Sequence, residues 1–394
     1  VAKYFAVNGV LRFSVALPQA FLTPILVSKG LTFSEVALVQ SVYMLVAFVS
    51  EVPSGYLADV TSRKIVYTGS MLVTAAGYAV VLTQHGVAMM AIAWALYGLG
   101  QSLQSSTMEY HFVAVLRDDE RKFARFYVLE RNIPLLASVG AALLATALFP
   151  RIGDRLYLIS LLGFVTCFVL GTIVLPGGSR GARAPGLGVR AAEVRREIVV
   201  AFRSPGLIAL VLWLACTQIG FTTLYQFWQM AFMDVGIDSH LFGLLFIAFQ
   251  GAGILGNWAF GRMVGSRYVL VGTAVASGLL AVVLTLVRLP AVVVGSSLLL
   301  GAVILVHANA VEFEFQRAVP ETVMSSLASV INALSSAVAL AVLSLAGAIL
   351  DAVSATTVLA TGIMTFALVM GAFAAARRRI ERRVVDRGAA ATAP

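Results

Sequence analysis

Apolar residues run along this chain in long blocks, and short charged turns separate the blocks. The blocks cover residues 3–28, 32–57, 65–84, 87–114, 124–148, 156–175, 206–233, 240–261, 268–287, 291–316, 322–349 and 355–376. A helix needs about 20 mostly apolar residues to cross the hydrocarbon of a bilayer. Backbone groups in lipid must find partners within the segment or in a closed barrel. Strands of a membrane barrel are only about 10 residues long and alternate apolar with polar. These blocks are longer and do not alternate, so the pattern predicts an all-α integral membrane protein with twelve transmembrane helices.

Polar residues inside the blocks have a period of their own. Spans 3, 6, 9 and 12 hold no Asp, Glu, Lys, Arg, His, Asn or Gln in their interiors, and the other eight hold at least one each. Polar groups in lipid are costly and face a bundle interior or a wet cavity. Every third helix therefore reads as a lipid-facing support around a polar interior built by the rest. The longest loop splits the spans six and six. Near the cytoplasmic end of span 4 stands Met-Glu109-Tyr-His111-Phe, and near that of span 10 stands Val-Glu312-Phe-Glu314-Phe. This echo supports two pseudo-symmetric six-helix bundles, as internal repeats build many carriers. The expected domains are residues 1–176 and 205–376, joined by a cytoplasmic linker at 177–204 and followed by a basic tail at 377–394. In the linker, Ile198, Val199 and Phe202 share a helical face ringed by Arg195, Arg196 and Arg203, which suits a helix lying on the membrane surface.

Charge then sets orientation. On the side of the membrane shared with the N-terminus the loops and tail carry 22 Lys and Arg, against 4 on the other side. The positive-inside rule places both termini in the cytoplasm, and a bacterial-type cytoplasmic (inner) membrane is the expected location. The net charge of +9 is mostly this topology signal, together with attraction to anionic lipid; no nucleic-acid partner is expected. The first block, with Arg12 inside it, reads as a span and not as a cleaved signal peptide. Cys167 and Cys216 lie in opposite halves and form no disulfide framework. No nucleotide, zinc-protease or serine-hydrolase motif occurs, so no enzyme, metal or cofactor is implied.

The candidate substrate residues follow from helical spacing. Asn8, Arg12 and Gln19 fall near one stripe of span 1. Gln218, Thr222, Tyr225 and Gln229 recur at +4, +3 and +4 in span 7, beside Trp228. Amides next to flat aromatic surface suit a small-molecule pocket, although polar helix–helix packing uses the same residues. Gln101, Gln250, Asn257 and Asn309 extend the set. Proton-coupling candidates are Glu51, Glu109, Glu130 and Glu312, with Arg131 and His111. Low dielectric favours the neutral acid, so such a carboxyl can take up a proton near neutral pH. Glu130 beside Arg131 also reads as a structural ion pair, and His111 and His307 as hydrogen-bonded bundle histidines or as proton relays.

The turn after span 2 carries Gly55, Asp59, Arg63 and Lys64. It resembles the signature Gly-x-x-x-Asp-(Arg/Lys)-x-Gly-(Arg/Lys)-(Arg/Lys) of the major facilitator superfamily, with Val60 and Ser62 as departures. Glu51-Val-Pro53-Ser-Gly55 further resembles bacterial exporters of that family. The resemblance implies a fold of two six-helix bundles working by alternating access, with a small-molecule substrate, protons and the lipid bilayer as partners, and a monomer. It also implies a cytoplasmic latch of Gly55, Asp59, Arg63, Lys64 and Arg117, with Asp59 near the start of span 11. Trp94 stands where drug:proton antiporters carry Arg, and Ser138-Val-Gly140-Ala-Ala is a remnant of their span 5 motif. The expected function is proton-driven export of a small amphiphilic or drug-like compound. The alternatives are proton-coupled uptake of a polar or anionic nutrient held by Arg12, and a membrane sensor or assembly partner without transport.

Overall fold

The computed structural model describes residues 2–104, 120–175, 205–263, 266, 268–318 and 321–391. They are helical almost throughout, with no strand among the described residues. The helices are α1 (Ala2–Gln19), α2 (Leu22–Ser28), α3 (Phe33–Val60), α4 (Arg63–Thr83), α5 (Val87–Gln104), α6 (Glu120–Ile152) and α7 (Leu156–Val174). They continue as α8 (Pro205–Asp234), α9 (Phe242–Met263), α10 (Val269–Leu286), α11 (Pro290–Ala318), α12 (Glu321–Ile349) and α13 (Ala355–Ala391). Among the described residues nine stretches are long and apolar enough to cross a membrane, or ten with α1 and α2 taken as one bent span. One of these stretches, Asn132–Val174, holds both α6 and α7, and α5 is described only to Gln104. With α1 and α2 taken together, the helices follow the twelve expected spans in order. The linker expected at 177–204 lies outside the described residues.

Span 1 departs from expectation. It is two helices bent by 56°, not one run from 3 to 28. Pro24 has no N–H to give the Ala20 carbonyl, and its ring crowds that carbonyl, so the helix stops at Ala20–Phe21. The chain restarts at Leu22, where Pro24 falls in a first turn that tolerates it. The next helix starts at a capping box: Thr32 accepts from the Glu35 N–H, and the Glu35 carboxylate accepts from the Thr32 N–H. Only Thr61 and Ser62 separate α3 from α4, so the expected tight hairpin is present.

The chain divides into two compact units. Unit 1 holds Val1–Ala191 with Ile237–Gln250 and Leu343–Ala352, and unit 2 holds the remainder. In unit 1, α1 packs on α6 and α7, α3 and α4 pack on α5, and α4 packs on α7. Glycine lets the backbones of α3 and α5 approach closely. A Cβ on Gly98 would stand 2.6 Å from the Tyr43 carbonyl oxygen, so α5 lies directly on the α3 backbone. The two short C-terminal pieces join unit 1 through Ser34 Oγ, which donates to Asp351 at 2.8 Å, and through Gly243 against Thr146 and the Ala142 carbonyl.

In unit 2, α8 packs on α11 and α13, and α10 packs on α11 and α13. Val211, Phe315 and Leu327 form a core between α8, α11 and α12. Gly256 of α9 lies against Ala302 of α11, where a Cβ would stand 2.8 Å from the carbonyl oxygen. The pairings of spans 1 with 6, 3 with 4 and 3 with 6 therefore recur as 7 with 12, 9 with 10 and 9 with 12. Ile65 and Leu72 of α4, Leu162 and Ile173 of α7, Leu279 and Leu286 of α10 and Leu368 of α13 form exposed apolar faces, the surface a bilayer covers.

Both units fasten their first span to their last. Buried Lys29, at the end of α2, pairs with Asp154 in the turn before α7 at 2.6 Å. In unit 2, Asp234 at the end of α8 accepts from the Thr356 N–H (3.2 Å) and hydroxyl (2.7 Å) at the start of α13. A carboxylate at a helix N-terminus is favoured by the helix dipole, and Arg288 stands 3.9 Å from it.

Candidate functional site

The polar wall of unit 1 is built from five helices. Arg12 and Gln19 come from α1, Tyr43 from α3, Tyr67 from α4, Tyr97 and Gln101 from α5, and Glu130 from α6. The Gly98 contact brings α5 onto α3, so the Tyr43 and Tyr97 rings lie 5.0 Å apart. Gln19 stands within hydrogen-bonding reach of Tyr97, and Gln101 of Tyr43. Tyr78 meets Tyr97 edge-on at 5.9 Å and Tyr157 at 4.8 Å, which fixes the cluster from behind. Sequence spacing had placed Arg12, Gln19 and Gln101 among the candidates, and the structure brings them together around these rings.

Glu130 is tied to α1. Tyr4 Oη donates to Glu130 Oε1 at 3.1 Å, and Asn8 Nδ2 donates to the same oxygen at 3.2 Å. Tyr4 stacks on Phe126, with centroids 6.0 Å apart. The carboxylate therefore helps hold α6 on α1, the structural role that sequence offered as one of two readings. Arg12 is different. Its Nε is enclosed without a hydrogen-bond partner, and among the described residues its guanidinium makes no hydrogen bond or ion pair. Its electrostatic neighbours are Tyr67 and Tyr97, and the Tyr67 hydroxyl is itself enclosed without a hydrogen-bond partner.

The residues of the expected α8 face lie in unit 2. Gln218 Nε2 donates to Thr222 Oγ1 at 3.1 Å, one turn apart. Thr222, Trp228 and Gln229 are buried, and Tyr225 is exposed and stacks on Phe221. Asn309 Nδ2 donates to Asn257 Oδ1 at 2.7 Å, an approach that Gly256 makes possible. Gln250 is half-buried on α9. His307 is fully buried between three helices. Trp213 Nε1–H donates to its Nε2 at 3.1 Å, its Nδ1 lies 2.7 Å from Thr273 Oγ1, and that hydroxyl donates to the Val269 carbonyl. The chain of donors is complete when Nδ1 carries the proton, so His307 is a satisfied bundle histidine.

The sequence profile of the Major Facilitator Superfamily matches residues 4–341. The chain belongs to this superfamily. Its fold resembles solved transporters of low identity. A bacterial homologue of the iron transporter ferroportin, in an inward-facing state, has a TM-score of 0.74 and 16% identity, covering 95% of this chain and 98% of that one. The nucleoside transporter NupG gives 0.76 at 11% identity, covering 95% and 97%. The peptide transporter POT in complex with sulfate gives 0.71 at 16% identity, covering 97% and 94%. No curated protein matches the chain. The protein is a multi-pass membrane transporter of the major facilitator superfamily.

The turn after α3 also makes a contact within unit 1. Lys64 Nζ donates to the Leu175 carbonyl at 2.8 Å, capping the C-terminal end of α7. One cation of the expected latch thus fastens α4 to α7 inside unit 1. Gly55 and Asp59 lie on the last turns of α3, and the Asp59 side chain, like that of Arg131, lies outside the described residues; so do Glu109, His111 and Arg117. Glu51 and Glu312 are exposed, and Glu312 accepts from Gln316 at 3.1 Å. Trp94 is buried on α5. The wall tyrosines Tyr43, Tyr67 and Tyr97 were not among the sequence candidates. Their signal was available, since a buried Tyr needs a partner for its hydroxyl.

Proposed function

We propose that this transporter exports a small amphiphilic or drug-like compound by alternating access, coupled to inward proton flow. The supporting observation is the wall of unit 1, where the rings of Tyr97 and Tyr43 pack 5.0 Å apart with Gln19 and Gln101 close by. Fixed aromatic surface with a few convergent polar groups is how small-molecule sites bind. The α8 face of Gln218, Thr222, Tyr225, Trp228 and Gln229 has the same chemistry in unit 2. Glu51, Glu109, Glu130, Arg131, His111 and Glu312 remain the coupling set, and Gly55, Asp59, Arg63, Lys64 and Arg117 the latch. The bias of Lys and Arg to one side supports an inner membrane with both termini in the cytoplasm.

The test is flux in proteoliposomes loaded with a panel of fluorescent amphiphiles, with and without an imposed proton gradient. Export predicts gradient-driven movement against the compound's own gradient, abolished by a protonophore. Movement with the protons would turn the reading to uptake, and equal flux with and without the gradient would remove proton coupling.

A further inference from the structure

We propose that the compound carried is an aromatic carboxylate, its anionic group taken by Arg12 and its ring by Tyr97 and Tyr43. This deepens the transport reading above and rests on it, though not on the direction of transport. A guanidinium cannot shed its charge within a protein, and a charge within a span is costly unless it is paired. Buried Lys29 has Asp154 at 2.6 Å, and Glu130 Oε1 accepts from two donors. Among the described residues Arg12 alone of these has neither a hydrogen bond nor an ion pair, and its Nε is enclosed. The planar fork of a guanidinium matches a carboxylate better than any other small anion except phosphate.

The neighbourhood selects further. Tyr97 is an electrostatic neighbour of Arg12, and its ring lies 5.0 Å from that of Tyr43. Both rings are packed together, and Tyr97 also against Tyr78, before any ligand arrives, so little side-chain freedom is lost on binding. Tyrosine clusters also bind organic cations. Here the adjacent Arg12 repels a cation, and an aromatic ring bearing a negative charge satisfies both features.

The test uses the purified full chain in detergent with two probes of the same shape, 1-naphthoate and 1-naphthamide. Binding is followed by the shift in thermal unfolding. Wild type is expected to bind the carboxylate in preference to the amide. Arg12→Gln is expected to lose roughly 10- to 100-fold in carboxylate affinity, the range for a hydrogen bond to a charged group, with amide binding unchanged. Arg12→Lys keeps the charge without the fork and should retain the preference at reduced affinity. Equal binding of the two probes to wild type, a preference that survives Arg12→Gln, or binding of neither probe would overturn the proposal. The same probes in proteoliposomes separate the two readings. Carboxylate preference without flux would leave the site standing and sink transport of this class. Proton-driven flux of neutral amphiphiles without carboxylate preference would do the reverse.

Discussion

Gly98→Ala tests whether the α3–α5 contact builds the polar wall. The added Cβ would stand 2.6 Å from the Tyr43 carbonyl oxygen and 3.3 Å from the Ala47 nitrogen. Both are backbone atoms, so no rotamer change relieves the clash. Ordinary contact begins at 3.4 Å, and α5 must retreat by about 0.8 Å to reach it. Overpacking of this kind costs about 1–3 kcal/mol. Alanine also gains helix propensity over glycine, by roughly 1 kcal/mol, which masks part of the cost. Gly69→Ala removes that ambiguity, since Gly69 is likewise within a helix and a Cβ there meets nothing within 4 Å. The difference between the two variants is then the steric cost alone. The assay is thermal unfolding of each purified variant, followed by helical circular dichroism. Gly98→Ala should melt below Gly69→Ala and bind ligand more weakly, because Tyr97 and Gln101 move with α5. Equal midpoints for the two variants would refute the claim that this approach is closed to a side chain.

Two further variants probe the supporting contacts. Asp154→Asn strands the buried Lys29 ammonium and should destabilise toward the lower end of roughly 3–5 kcal/mol, since Asp154 is 34% exposed; adding Lys29→Met should recover most of the loss in the same melting assay. Trp213→Phe removes the donor to His307 Nε2 and should cost about 1–3 kcal/mol. If His307 is only structural, proton-driven flux per folded molecule stays at the wild-type level, and a changed coupling ratio would restore it as a relay.

The helices were legible because each apolar block is long enough to cross a bilayer by itself, and no tertiary knowledge is needed to see that. The break in span 1 was equally readable, since Pro24 cannot continue a helix through Ala20. The Thr32-x-x-Glu35 cap was a further available signal. Which helices meet was not legible. Tyr43, Tyr78, Tyr97 and Tyr157 sit on four different helices, and periodicity within one helix says nothing about its neighbour. The Tyr4–Glu130 and Lys64–Leu175 bonds span 126 and 111 residues for the same reason. Arg12 was found by its charge, but that its Nε is enclosed without a hydrogen-bond partner among the described residues could be seen only in the structure.

The fastening of first span to last has a consequence for how such a chain can be cut and joined. Lys29 with Asp154, and Asp234 with Thr356, place the beginning and end of each six-span set on neighbouring helices. An even number of crossings also returns the chain to the face where it entered. Each set is therefore a closed circuit with adjacent ends. Opening the first circuit at Thr61–Ser62 and bridging its former ends would reorder the sequence while leaving each helix beside its present neighbours. A unit with that property can be doubled by a tandem copy joined through one linker.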